Sequence, residues 1–169
     1  MSSYTLEQIF IGSEPSKSEF SPPSPHRLKP VGGFWTSRLR EDNGQITSDW
    51  LNWMKHNYKT AYEHVDNPQV WKIIVKSSVS LLKITDDERF AKYVDRIEST
   101  SFNDEYEFNI DAISSDGFDG IWMTKEGMES GVIHSKKYNR FSFWDVESTL
   151  WINWPVKKYE NVSSLDTYL

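Results

Sequence analysis

The stretch 29-KPVGGFWTS-37 decides how this chain is interpreted, because it places a proline, two glycines, an aromatic pair and two hydroxyls close together. A solvent loop does not need Phe34 and Trp35, and an ordinary core strand disfavours adjacent glycines. One interpretation is that the glycines bring the backbone close to a ligand, with Phe34 in the core and 35–37 facing a cleft. The other is a glycine turn that leads into an edge strand.

Composition limits the class of protein. With 169 residues the chain is long enough for one domain with a sizeable core, so we assign 1–169 to a single domain. The absence of cysteine excludes a disulfide framework and cysteine-based metal sites. A net charge of -6 disfavours nucleic acid as a partner. No signal peptide and no apolar run of about 20 residues is found, so we expect a soluble, cytoplasmic protein without a membrane association.

Local patterns predict short strands and a few helices. Ser48 has the character of a helix N-cap, followed by Asp49 in the first turn and by apolar residues at helical spacing up to about residue 58. The run 70-VWKIIVKSSVSLLKI-84 is the strongest β signal, either as one bent strand or as a hairpin that turns at residues 77–78. The other predicted elements are strands at 4–12, 33–37, 119–124 and 148–154, helices from 85 to 97 and from 109 to 118, a loop at 99–109, and irregular connections at 13–30 (rich in proline and serine) and 125–143.

The order of these elements favours an α+β fold. We expect a single domain in which short mixed or antiparallel strands form a cleft with two or three helices.

A second informative stretch is 144-WDVESTLWIN-153. Asp145 and Glu147 lie two residues apart, so in an extended segment both carboxylates would project to one face and interact electrostatically. The apolar run that follows predicts a buried strand. A pair of acids at the start of such a strand would aim a carboxylate into a cleft. The alternative is that both are exposed loop acids.

Taken together, the two stretches resemble the ADP-ribosyltransferase superfamily. They also look like uncharacterised phage and bacterial small proteins that carry similar Lys-Pro-x-Gly-Gly-aromatic-Trp and Trp-Asp-x-Glu-Ser patterns. The superfamily resemblance implies that NAD is the substrate and that Glu147 is the catalytic acid that stabilises the ribose cation as nicotinamide departs. It implies that Asp145 orients the acceptor.

The same resemblance implies a cofactor-binding set. Thr36 and Ser37 would form the hydroxyl strand of the nicotinamide pocket, and Trp35 would be a stacking or packing aromatic. Strands 33–37 and 148–153 would then share a sheet that borders one cleft, with the side chains of Trp35, Ser37 and Glu147 reaching it. The superfamily usually places an arginine or histidine on the first strand, whereas this chain has Gln8 there. Lys29, or its neighbours His26 and Arg27, would then supply the missing group from the loop.

Three functions remain open at this point. The first is an NAD-dependent mono-ADP-ribosyltransferase, of a phage or toxin type, that modifies a host macromolecule, with a protein as the expected acceptor. The second is a non-catalytic protein-binding module on the same fold. The third, suggested by two carboxylates and many tryptophans, is a glycoside-processing enzyme. The four histidines lack metal-ligand spacing, so we predict no metal site.

Overall fold

The structure, a computed structural model, describes residues 6–24, 32–62, 67–85, 88–97, 105–130 and 144–169. It confirms the α+β class: a mixed seven-stranded sheet is accompanied by two small two-stranded sheets and three α-helices. The elements are β1 (Glu7–Gly12), β2 (Phe34–Arg38), β3 (Arg40–Asp42), β4 (Gln45–Thr47), α1 (Asp49–Tyr62), β5 (Gln69–Val75), β6 (Leu81–Ile84), a 3₁₀ helix (Glu88–Tyr93), β7 (Val94–Ile97), β8 (Glu105–Phe108), α2 (Ile110–Ser115), β9 (Gly120–Met123), α3 (Lys125–Glu129), β10 (Ser148–Trp151), β11 (Val156–Ser164) and a second 3₁₀ helix (Leu165–Tyr168).

The main sheet has the order β11-β5-β1-β2-β10-β9-β6 and is antiparallel except for the pair β6 and β9. Two short crossovers, 76–80 and 152–155, connect strands that are far apart in this order. A flat sheet would separate β5 from β6 by about 24 Å. Six residues of extended chain span only about 20–22 Å. The sheet therefore has to twist and curl.

One face of the sheet, which we call the helix face, is covered by helices. Beneath α1, Leu51 and Met54 form a cluster with Ile9 and Ile11 of β1. A second cluster forms beneath α2, where Ile113 and its neighbours join buried residues of β6, β9 and β10. None of the helices in the described ranges combines the length and the apolar character needed to cross a bilayer.

The opposite face, which we call the crossover face, is covered in part by the two crossovers. Phe34, Ile73 and Trp151 form a buried cluster there, and Val79 and Trp154 of the crossovers pack against it. Asp119 links the two crossovers, because its carboxylate accepts hydrogen bonds from the Ser80 N–H (2.9 Å) and the Asn153 side-chain amide (3.2 Å).

The glycine pair of the opening stretch has a packing role. Gly33 has a φ of +71°, and a Cβ there would lie 2.5 Å from Leu150 Cδ1 and 3.0 Å from the Trp151 carbonyl oxygen. The glycine therefore lets β10, and not a ligand, approach the backbone. Phe34 is buried as expected. The edge-strand interpretation is wrong, because β2 lies inside the sheet between β1 and β10.

The structure confirms one of the other local predictions, contradicts a second and confirms part of a third. The Ser48 cap is confirmed by a 3.0 Å hydrogen bond from the Leu51 N–H to the Ser48 hydroxyl. The chain does break at 77–78, but β5 and β6 are separate strands that do not pair, so both proposed forms of 70–84 are wrong. Of the helix predicted from 85 to 97, Glu88–Tyr93 is helical, as a 3₁₀ helix. Val94–Ile97 is instead a strand that pairs with Glu105–Phe108, inside the segment predicted as a loop.

Candidate functional site

The two stretches that carry the resemblance meet in the sheet. Strands β2 and β10 pair directly, with Thr36 opposite Thr149 and Trp35 opposite Leu150. The Ser37 hydroxyl donates a 3.1 Å hydrogen bond to the backbone carbonyl of Glu147. The strands therefore share a sheet, as the sequence predicts.

The side chains do not share one cleft, because successive residues of a strand point to opposite faces. Thr36 contacts Gln8 and Trp151 on the crossover face, where the Glu147 side chain also lies. Trp35 instead packs against Trp144 on the helix face, with ring centroids 5.0 Å apart. Ser37, two residues along, shares that orientation. The expectation that Trp35, Ser37 and Glu147 reach one cleft is wrong.

Glu147 is the buried centre of a polar cluster. Its Oε1 accepts a 3.2 Å hydrogen bond from Trp122 Nε1 and lies 3.8 Å from Arg38 Nε. Its Oε2 accepts a 3.2 Å hydrogen bond from Arg40 Nη2. Only 6% of the side chain is exposed. We call Arg38, Arg40, Asp49, Trp122 and Glu147 the Glu147 cluster. A carboxylate has about four lone-pair sites, so the two hydrogen bonds leave acceptor capacity.

Arg40 joins this cluster to helix α1. Its guanidinium forms a two-point contact with the Asp49 carboxylate, at 2.8 and 2.9 Å, at the first residue of the helix. The Arg40 Nε is buried and finds no hydrogen-bond partner within the described residues. An unsatisfied buried N–H is uncommon and is a candidate for contact with a ligand or water.

Thr36 belongs to a separate chain of buried polar groups. Its hydroxyl accepts a 2.8 Å hydrogen bond from Trp151 Nε1 and is placed to donate to Gln8 Oε1 at 3.3 Å. Both Thr36 and Gln8 are fully buried. The hydroxyl is therefore occupied by neighbouring side chains, which suits a supporting role.

Sequence reasoning missed the two arginines. Arg38 is directly opposite Gln8 in the pairing of β1 and β2. Its guanidinium group therefore lies next to Gln8, the position where the resemblance implies an arginine or histidine. Strand alternation from Thr36 predicts that Arg38 shares its face, and this signal was available in the sequence. Nothing local in the sequence indicates the contact between Arg40 and Glu147.

The remaining candidates lie apart from the cluster. Asp145 is exposed, and the chain bends at 146–147, so the two acids are not side by side in an extended segment. Lys29, with His26 and Arg27, lies outside the described residues.

The rim of the cluster carries further charge. Lys83 Nζ lies 5.0 Å from the centre of the Trp122 ring. The pKa of the Glu126 carboxyl is lowered, first by its own backbone N–H and then by the Thr124 hydroxyl, with Lys83 and Arg38 adding to the effect. The surroundings of Glu147 are therefore rich in cations as well as carboxylates.

Within the described ranges no three metal-ligating side chains converge. Comparison of the chain with protein-family models, with curated proteins and with solved structures found no match.

Proposed function

We propose that the chain is an NAD-dependent mono-ADP-ribosyltransferase-like protein, an effector of the phage or toxin type, whose reaction centre is Glu147. The observation that carries the proposal is the buried carboxylate of Glu147, which fixed donors from Trp122 and Arg40 hold in one orientation at the start of β10. Preorganised charge of this kind is the form of catalysis that an oxocarbenium-like transition state requires.

In this proposal the polar side chains around Glu147 have distinct roles. The Glu147 carboxylate stabilises the positive charge that develops on the ribose as nicotinamide leaves, and its free lone pairs accept a ribose hydroxyl. The part-exposed side chains of Arg38 and Arg40 fit an anionic group such as the pyrophosphate of NAD. Thr36 supports this arrangement through Trp151. Trp35 and Ser37, on the helix face, keep the strand in place.

A specific observation also favours the second candidate, a non-catalytic protein-binding module. Both oxygens of Glu147 already contact protein donors, and Arg40 is held by Asp49 as well. An ion network of this kind fixes the β3–β4 hairpin to the main sheet and needs no substrate. In that case Glu147 maintains the fold, and the exposed surface makes the functional contacts.

Transfer of label from tagged NAD into proteins of a host lysate tests the proposal. We expect the wild-type protein to label an acceptor, and Glu147→Gln to reduce the rate by orders of magnitude. Glu147→Gln also loses the charged contact with Arg40 and so destabilises the fold. Leu165→Ala is therefore the matched control, because it destabilises the cluster beneath α1 on the opposite face and should label normally at a temperature where it is folded.

Asp145→Asn is the second comparison, because it removes an exposed charge two residues away. It should retain NAD cleavage while reducing transfer to the acceptor. Full labelling by Glu147→Gln would exclude Glu147 from the mechanism. If the wild-type protein neither labels an acceptor nor shows a higher melting temperature with millimolar NAD, the binding module is the better account.

A further inference from the structure

A groove on the far side of the sheet from β6 is not used by the Glu147 cluster. It encloses about 840 Å³ between the segment 13–19 and the strand end at 154–159. Both walls are held in place. The Tyr159 hydroxyl donates a 2.8 Å hydrogen bond to Glu14, and the ring of Phe20 packs edge-on against Trp154. The groove is therefore a fixed feature and not a gap beside a loose loop.

One wall of the groove is the end strand of the sheet. Within the described part of the chain, β11 pairs only with β5, so its other edge carries backbone donors and acceptors that no strand satisfies. Residues 157–161 are exposed on both faces. A long exposed edge is a template onto which another extended segment can be added.

The charge of the groove is opposite to that of the chain. Lys17, Lys157 and Lys158 line it and form no ion pair with any described residue, and Lys76 Nζ binds the Trp154 carbonyl at one end. The carboxylates of Glu14 and Glu19 also line it, and that of Glu14 accepts the hydrogen bond from Tyr159. The whole chain has a net charge of -6, so this surface is a local excess of cations.

We propose that this groove binds an extended acidic segment of a protein partner, which adds to the free edge of β11. An acidic strand meets complementary charge at the adjacent Lys157 and Lys158, whereas a second copy of the same edge brings two further lysines and the single acid Glu160. Trp154 and Tyr159 offer apolar contact to alternate side chains of the segment. Residues 158–161 pair with β5 without a register shift, so about four extended residues of the partner could add to this part of the edge.

This site is separate from Glu147 and does not depend on turnover there. It would recruit either an acceptor of the reaction or a partner of a non-catalytic module. Its failure can therefore be distinguished from failure of the proposed activity.

The test is selection of random octapeptides displayed on phage against the purified full chain. We expect enrichment of Asp and Glu over the starting library. A fluorescein-labelled consensus peptide, measured by anisotropy, should bind at least about tenfold more weakly to the Lys157→Glu/Lys158→Glu variant and should weaken with added salt.

The matched control is Lys55→Glu/Lys125→Glu, which makes the same charge change at two exposed lysines outside the groove and should bind like wild type. All four substitutions are at exposed positions, so melting curves should match wild type. No enrichment of acidic peptides, or equal weakening by the two double variants, would overturn the proposal.

Discussion

Replacing Glu147 by glutamine should destabilise the fold markedly, although the two side chains are nearly equal in size. The amide oxygen of Gln can keep the hydrogen bond from Trp122, but its NH₂ group would face Arg40 Nη2, donor against donor. One hydrogen bond between charged groups is worth about 1.5–3 kcal/mol. The contact with Arg38 adds little, because it is long and the guanidinium is part-exposed.

We therefore expect the free energy of unfolding to fall by about 2–3 kcal/mol, which in a chain of this size lowers the melting temperature by about 5–10 °C. Urea denaturation at pH 7 measures the first quantity and calorimetry the second. Asp145→Asn is the control, because it removes one negative charge at an exposed site and should change stability by less than about 0.5 kcal/mol.

A double-mutant cycle strengthens the test. Combining Glu147→Gln with Arg40→Gln should cost less than the sum of the single changes, by about 1 kcal/mol or more, because the two groups contact each other. If Glu147→Gln unfolds within about 0.5 kcal/mol of wild type, the cluster does not hold the hairpin to the sheet, and our account of its energetics is incorrect.

Three further changes have defined outcomes. Ser48→Ala should cost about 1 kcal/mol in urea denaturation, because the Leu51 N–H loses its acceptor, whereas Ser48→Gly should cost only about a few tenths of a kcal/mol, because glycine is a favourable N-cap residue. Gly44→Ala should cost about 1–2 kcal/mol in the same assay, because the residue has a φ of +77°, which is unfavourable for alanine. No atom of the described residues, its chain neighbours aside, lies within 4 Å of the new Cβ, so a larger loss would contradict this explanation. Hydrogen bonds from Lys92 and then Tyr93 hold the pKa of Asp116 below its ordinary 3.8, so its stabilising contribution is present at neutral pH and is lost as the pH falls through the lowered value. Asp116→Asn should therefore flatten the decline of melting temperature below about pH 4, and an unchanged acid profile would contradict this.

Local chemistry predicts some elements well. Ser48 and Asp49 predict the start of α1, because capping depends only on neighbouring residues. The pair Asn43-Gly44 is a strong hairpin signal, and both residues do have positive φ at the turn between β3 and β4, but this hairpin was missing from the predicted elements. The omission matters, because β3 carries Arg40.

Other elements depend on tertiary pairing that no local pattern shows. The segment 94–97 follows helical spacing in sequence, yet pairing with β8 makes it a strand. β11 contains a run of charged and polar residues without alternation, because as an edge strand it buries little on either face. The faces of Glu147 and Arg38 could be predicted from strand alternation. The contact of Arg40 with Glu147 could not, because it depends on where the β3–β4 hairpin packs against the main sheet.

The two crossovers have a consequence for how the fold is divided. Lys76 N–H donates a 3.0 Å hydrogen bond to the Pro155 carbonyl, so the chain leaves β5 and returns to β11 at neighbouring points. Val75 and Val156 are direct partners. The antiparallel pair β5–β11 is thus a hairpin whose turn has been replaced by everything from 76 to 155. The inserted residues include β6, β9 and β10, which contribute to an apolar cluster of their own. They are joined to the parent unit of β1, β2, β5 and β11 by the pairing of β10 with β2 and by the packing of Trp151 against Phe34 and Ile73. We expect amide exchange to show β6 and β9 opening at a lower free energy than the parent unit.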